Sequence, residues 1–299
     1  MSEYHIPVLL KESVESLNIK PSGVYVDVTF GGGGHSAEIL KHLNTGKLFG
    51  FDKDADASAN VIEDSRFVFV RQDYKYITNF LKFYGIVKVD GILADLGISS
   101  HQIDTQERGF SIRYNSFIDL RMDKDNPITG RDVLNNYSED DLKKIFAEYG
   151  ELQNPGKIAK YIVNARTEKS IDTTNDIKDV FKNLINSWTE NKFFAKLFQA
   201  LRIEVNKELD SLKQLLLQAE GLLNPGGRLV VISYHSLEDR LVKSFTKTGK
   251  FEGEVDKDFY GNPLVKFKLI TRKVIIPNDN EIEMNARSRS AKLRVAEKL

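Results

Sequence analysis

From residue 24 onward, short β-rich runs alternate with longer stretches of helical periodicity. Residues 24–29, 47–51, 67–71 and 89–96 carry the apolar, β-branched and aromatic content of strands, and residues 34–43, 55–62 and 74–84 between them read as helices. Alternation at this spacing predicts parallel βαβ units with right-handed crossovers. It then stops. Residues 106–206 hold no convincing strand. Ser138 can cap a helix through Glu148 with Asp141 in its first turn, Asn154-Pro155 opens another through Arg166, and residues 174–185 form a third. Residues 194–223 are helix-patterned almost throughout, with Leu201, Val205, Leu209, Leu212, Leu216 and Leu223 on one apolar stripe.

A structureless loop of that length does not suit a compact protein, so the pattern predicts an inserted helical subdomain over 106–206. The α/β pattern resumes at Asn224-Pro-Gly-Gly227, a turn that delivers a strand over 228–233, followed by a helix over 236–246. Late strands at 264–270 and 293–296 bring the number to about seven. The expected fold class is α/β: a Rossmann-like, mostly parallel seven-stranded sheet of the class I methyltransferase kind, with an inserted all-helical subdomain. The expected domains are 1–105 with 207–299, discontinuous, and 106–206 for substrate recognition.

Composition narrows the chemistry. Among 299 residues there is no cysteine, which removes disulfides, thiolate metal sites and a cysteine nucleophile. The first 18 residues lack the basic start and apolar stretch of a signal peptide, and no run approaches the roughly 18 apolar residues of a membrane span. The expectation is a soluble, cytoplasmic protein with no membrane partner. Basic and acidic side chains balance at 43 each, so an RNA surface must be a local patch. The tail over 285–299 is one candidate, carrying Arg287, Arg289, Lys292, Arg294 and Lys298 against Glu297; a solvated terminal face explains it equally well.

The informative stretch is Asp27-Val-Thr-Phe-Gly31-Gly-Gly33-Gly34-His35, which follows the first strand and opens a helix. Backbone passes close to a nucleotide ligand at this position, and glycine permits both positive φ and close approach. A plain tight turn is the alternative. Asp52 stands at the end of the second strand, 21 residues after Gly31, where a carboxylate can accept both ribose hydroxyls of an adenosine; a helix cap at Asp52 or Asp54 is the competing role. NAD and S-adenosylmethionine both use this arrangement. A G-x-G-x-x-G fingerprint starting at Gly31 would need glycine at Ser36, whereas Asp27 stands where methyltransferases place an acid beside the methionine part of the ligand. S-adenosylmethionine is the expected cofactor.

Eight further motifs carry a family resemblance: His5-Ile-Pro-Val-Leu9, Asp95-Leu-Gly-Ile-Ser-Ser-His-Gln102, Glu107-Arg-Gly-Phe110, Asp119-Leu-Arg-Met-Asp123, Phe198-Gln-Ala-Leu-Arg202, Pro225-Gly-Gly-Arg228, Ser233-Tyr-His-Ser-Leu-Glu-Asp-Arg240 and Asn285-Ala-Arg-Ser-Arg-Ser-Ala-Lys-Leu-Arg294. Together they span nearly the whole chain. The sequence resembles the ribosomal RNA small subunit methyltransferase H family, which methylates N4 of cytosine 1402 of 16S rRNA. The resemblance implies cofactor contacts at Gly33, Gly34, His35, Asp52, Tyr74, Asp95 and Gln102, with 16S rRNA in the small ribosomal subunit as partner. A homodimer is admitted as well.

For the chemistry, Asp95 at the end of the fourth strand is a candidate proton acceptor, with a pure cofactor contact as the equal alternative. His235 is a second candidate acceptor, against a structural histidine. Phe110 and Tyr234 are candidates for base stacking, against core aromatics. Arg108, Arg113, Arg121 and Arg202 are candidate phosphate ligands, against salt bridges. His5, His35 and His235 show no metal spacing, so no catalytic metal is expected. Two other functions remain open at this point: a non-catalytic RNA-binding assembly factor that keeps the cofactor pocket, and an NAD-dependent dehydrogenase.

Overall fold

The computed structural model describes residues 7–271 and 273–299, so His5 and Ile6 of the first motif lie outside the described residues. The chain divides into two compact units, one of Met1–Gly97 with Leu209–Leu299 and one of Ile98–Glu208. The second unit thus starts at Ile98 rather than at residue 106.

The first unit is built on a seven-stranded sheet of β1 Val24–Asp27, β2 Lys47–Asp52, β3 Phe67–Arg71, β4 Val89–Asp95, β5 Leu223–Ser233, β6 Phe267–Leu269 and β7 Lys292–Lys298, in the order β3-β2-β1-β4-β5-β7-β6. Neighbours are parallel from β3 across to β5, and β7 runs antiparallel to both β5 and β6. This is the class I methyltransferase sheet expected from the sequence. Successive strand residues point to opposite faces. Val26, Phe49, Ile92 and Val231 therefore join one buried cluster while Tyr25, Leu48, Leu93 and Val230 join another. The strand order reverses between β1 and β4. Open α/β sheets bind ligands at such a switch point, outside the carboxyl ends of the strands. Asp27, Asp52 and Asp95 are the last residues of β1, β2 and β4.

The second unit packs helices Gly130–Asn136, Glu139–Glu148, Pro155–Glu168, Thr174–Phe181 and Ser187–Asn206 around Leu134, Phe146, Ile162, Ile177 and Leu201. Ser138 caps the second of these, its hydroxyl accepting from the Asp141 amide, and Pro155 opens the third. Among the described residues no helix is long and apolar enough to cross a membrane.

Several elements differ from the sequence expectation for physical reasons. The stripe read as one helix over 194–223 is two, Ser187–Asn206 and Glu208–Leu222, broken at Lys207 with φ of 50°. The break is fixed by the buried Asn206 amide, which donates to Leu120 O at 2.7 Å and accepts from Met122 N at 2.7 Å. Residues 55–62 form a 3-10 helix, Ala55–Asn60, and residues 74–84 split into a 3-10 turn, Tyr74–Tyr76, and a helix, Ile77–Phe83. The turn at 224–227 is absorbed into β5 through a register shift between Val89 and Gly91. The basic tail is not a free terminal face. Arg287 and Arg289 lie in a 3-10 helix, Ala286–Ser290, and the rest forms β7, where Arg294 pairs with Asp239 at 2.7 and 3.2 Å. Helices Leu10–Ser16, Gly130–Asn136 and Asp279–Met284 went unread because each is shorter than the window of about 11–18 residues over which helical periodicity stands out.

Candidate active site

Three carboxylates at strand ends set the character of the site. Asp27 is buried, its Oδ1 accepting from Thr29 N at 3.1 Å and its Oδ2 from Ser36 Oγ at 2.8 Å. Burial nevertheless pushes its carboxyl up to about 6, since neutral donors offset only part of the lost hydration. The glycine loop then turns over the end of β2. Gly31 and Gly33 take φ of 50° and 76°, and Phe30 N bonds to Phe51 O at 2.9 Å. A Cβ on Gly34 would sit 2.3 Å from Pro7 Cγ, so only glycine lets the helix Gly34–His42 start there without displacing Pro7.

Asp52 accepts the Gly31 amide on Oδ2 and the Asp54 amide on Oδ1, both at 2.8 Å. Burial raises its carboxyl as well. The capping role belongs to its neighbour, because Asp54 accepts from Asp56 N at the start of the 3-10 helix. Each Asp52 oxygen thus keeps a lone pair for a further donor.

Asp95 is tied to the same loop. Its amide donates to Thr29 Oγ1 at 2.6 Å, and its Oδ1 accepts from the Tyr234 hydroxyl at 2.8 Å. Burial first, then the charges of Asp27 and Glu238, push its carboxyl up to about 7 against the Tyr234 bond, which favours ionisation. The phenol of Tyr234 is raised in turn, by burial and then by Asp95. His35 lies with Nδ1 3.9 Å from Asp95 Oδ2 and Nε2 3.2 Å from Val8 O. Burial lowers its imidazole to about 4, so at neutral pH it brings no charge to Asp95. Among the described residues no lysine or arginine pairs with Asp27 or Asp95. The crevice is short of positive charge and suited to a cationic ligand bearing an adenosine-like diol.

A model of the MraW methylase family matches residues 2–299. The chain belongs to the MraW methylase family. Among its relatives is a ribosomal RNA small subunit methyltransferase H from Bacteroides fragilis, 55% identical over 296 residues that cover 99% of this chain and 97% of the relative. Proteins of the same name from Flavobacterium johnsoniae and Christiangramia forsetii are 54% and 53% identical over 298 and 300 residues. These alignments cover 99% and 100% of this chain and 98% and 99% of the relatives.

In this MraW-family chain the structure gathers Asp27, Gly31, Gly33, Gly34, His35, Asp52 and Asp95 around one loop. Tyr74 follows the end of β3 in a short turn, its ring half-buried on the sheet core. Gln102 belongs to the helical unit, where it forms a capping box with Ser99. A cavity of about 350 Å³ in that unit, lined by Lys178, Phe181, Lys182 and Phe194 among others, is touched by none of the expected site residues.

Other candidates are engaged elsewhere. Phe110, 8% exposed, belongs to the core of the helical unit with the Arg108 guanidinium 5.9 Å from its ring, so it is not a platform for a base. Arg108 is itself buried and donates to Arg121 O and Met122 O, while Arg121 pairs with Asp119. Arg202 is held bidentately by Glu208 at 2.8 and 3.0 Å. Only Arg113 of the four arginines is exposed. Tyr234 spends its hydroxyl on Asp95 and packs its ring toward Gly97. His235 caps the helix Ser236–Thr248, with Nδ1 accepting from Glu238 N at 3.4 Å and Nε2 3.1 Å from Glu238 Oε1. The imidazole is thus engaged with Glu238 at the start of this helix.

Sequence reasoning missed two supporting residues. Thr29 bridges Asp27 and Asp95, and Ser36 donates to Asp27. Ser36 had counted only against a dinucleotide fingerprint, although a hydroxyl nine residues from a buried acid was the available signal.

The raised carboxyls make a stability prediction. A group whose pKa rises on folding stabilises fully below its unfolded value, near 4, and loses that contribution as pH climbs through the folded value. For Asp27 and Asp95 the loss runs from about pH 4 to about 6 and 7. Asp95→Asn keeps an acceptor for Tyr234 and removes the charge. It should stabilise the free protein by about 1–3 kcal/mol at pH 8, with the gain shrinking as pH falls toward 4. Urea melts at both pH values check this; no gain at pH 8 contradicts an uncompensated Asp95.

Proposed function

We propose that this protein transfers a methyl group from S-adenosylmethionine to N4 of cytosine 1402 in the 16S rRNA of the small ribosomal subunit. The observation that carries the reading is the uncompensated pair Asp27 and Asp95 beside the glycine loop and Asp52. When bound, the cofactor supplies an electrophilic methyl on a sulfonium. Asp52 would take the ribose hydroxyls, a charge-assisted contact worth about 1.5–3 kcal/mol. The amides at the start of the helix Gly34–His42 would receive the methionine carboxylate, and Asp27 and Asp95 the positive charges. Tyr74 would lie against the adenine.

The amino group of cytosine is a weak nucleophile because its lone pair is delocalised into the ring. Asp95 counters this by accepting a hydrogen bond from N4 and then its proton as the new bond forms. Tyr234 holds Oδ1 and leaves Oδ2 for that work. Burial pushes this carboxyl up to about 7 in the free protein, and the cationic cofactor beside it favours the ionised form that can accept the proton. The target base must be splayed out of folded RNA, at a cost of a few kcal/mol. The helical unit Ile98–Glu208 carries the RNA-holding role in this reading, with the exposed Arg113 as a phosphate contact. A ribosomal substrate puts the place of action in the cytoplasm.

The direct experiment supplies labelled S-adenosylmethionine and small subunits lacking the mark. Label should appear as N4-methylcytosine at position 1402; incorporation only at another base, or none, overturns the reading. In the same assay at saturating cofactor, Asp95→Ala should lower turnover about 100-fold or more, and near-normal turnover removes Asp95 as acceptor. By calorimetry Asp52→Ala should weaken cofactor binding about tenfold or more. Unchanged affinity would take the ribose role from Asp52.

A further inference from the structure

Residues 256–264 form a built turn whose most prominent side chains the fold leaves unused. Lys257 and Pro263 form an antiparallel bridge, and Leu264 N donates to Asp256 O at 2.6 Å. Asp258 organises the tip. Its Oδ1 accepts from Tyr260 N at 2.9 Å and Asn262 N at 2.8 Å, its Oδ2 from Asn262 Nδ2 at 3.0 Å, and its carbonyl from Gly261 N at 3.0 Å. Gly261 supplies the positive φ, 85°, that closes the turn.

On this frame Phe259 and Tyr260 are 97% and 85% exposed, meeting each other edge-on with centroids 5.6 Å apart. Adjacent aromatics held in water by a preorganised turn lose little conformational freedom on binding, which favours them as anchors of an interface.

Charge selects the partner. A nucleobase is the obvious mate for an exposed ring, but it arrives with phosphates. The tip and the segment leading into it carry Glu252, Glu254, Asp256 and Asp258. Of the cations nearby, Lys250 is paired with Asp256 at 2.5 Å, Lys266 with Glu220 at 3.5 Å, and Lys298 lies over the Phe267 ring, while Lys257 stands in the turn itself. Such a tip repels a phosphate backbone and also repels a second copy of itself. It attracts lysine and arginine side chains, which the exposed Glu252 and Glu254 can pair and the ring faces can stack.

We propose that the turn at residues 256–264 is a docking tip for a basic protein surface, borne by a protein component of the ribosomal substrate; the identity of that component's host rests on the function proposed above. The tip places the enzyme on assembled particles through protein, apart from any contact with RNA.

The test replaces Phe259 with photoreactive p-benzoylphenylalanine and irradiates the variant with small subunits lacking the mark. The expected adduct survives ribonuclease and is lost to protease digestion of the ribosomal partner. An adduct to RNA, or none, overturns the proposal. A second variant, Phe259→Ser with Tyr260→Ser, should bind S-adenosylmethionine normally and turn over normally at saturating subunits, while its KM for subunits rises about fivefold or more. An active wild type whose double variant keeps the same KM overturns the docking tip alone. A wild type that leaves subunits unmethylated overturns the functional reading, and the tip's assignment to this substrate with it.

Discussion

Burial of two carboxylates without a cation to meet them is the constraint on which the site depends. Asp27 and Asp95 end the neighbouring strands β1 and β4, and they receive neutral donors from Thr29, Ser36 and Tyr234. Hydroxyls and amides orient a carboxylate but do not neutralise it. Both groups therefore hold protons to higher pH than a solvated aspartate, and the free fold gives up stability to keep them. Lysine at either contact would relieve that strain and close the pocket to a cationic ligand.

Topology explains why the acids meet. Parallel strands present their carboxyl ends on one edge of the sheet, and the reversal between β1 and β4 opens a crevice there. The glycine loop crosses that edge from β1 into its helix, bringing its backbone against Asp52 of β2. Thr29, within the loop, reaches the β4 end through the Asp95 amide. One short segment thus references three strands at once, so displacing it alters every acid in the site together.

Much of this was legible in the chain. Strand–helix alternation gave the parallel half of the sheet, because short β-branched and aromatic runs bounded by turn residues and alternating with longer helical stretches read as buried parallel strands. Asp27, the glycines and Asp52 were readable because their roles depend on position along a strand–loop–helix unit. Long-range partners were not. The phenol that holds Asp95 comes from Tyr234, 139 residues away, and Glu208, which occupies Arg202, looked like any helical surface acid. Phe110 and His235 were ambiguous for the same reason. An aromatic or imidazole near a motif is equally consistent with a core position or a helix cap, and only packing separates them. The break at Lys207 was hidden because an apolar stripe continues through it while the Asn206 side chain, bonded to residues more than 80 positions away, ends the helix.

Cofactor affinity as a function of pH tests the central claim most directly. A cationic ligand entering beside Asp27 and Asp95 must find them ionised, so binding expels whatever protons they hold. Between pH 8 and pH 5 the dissociation constant for S-adenosylmethionine should rise about tenfold or more, with proton release detectable near pH 6.5. Affinity that stays level across that range, without proton release, would contradict a pocket built on uncompensated carboxylates.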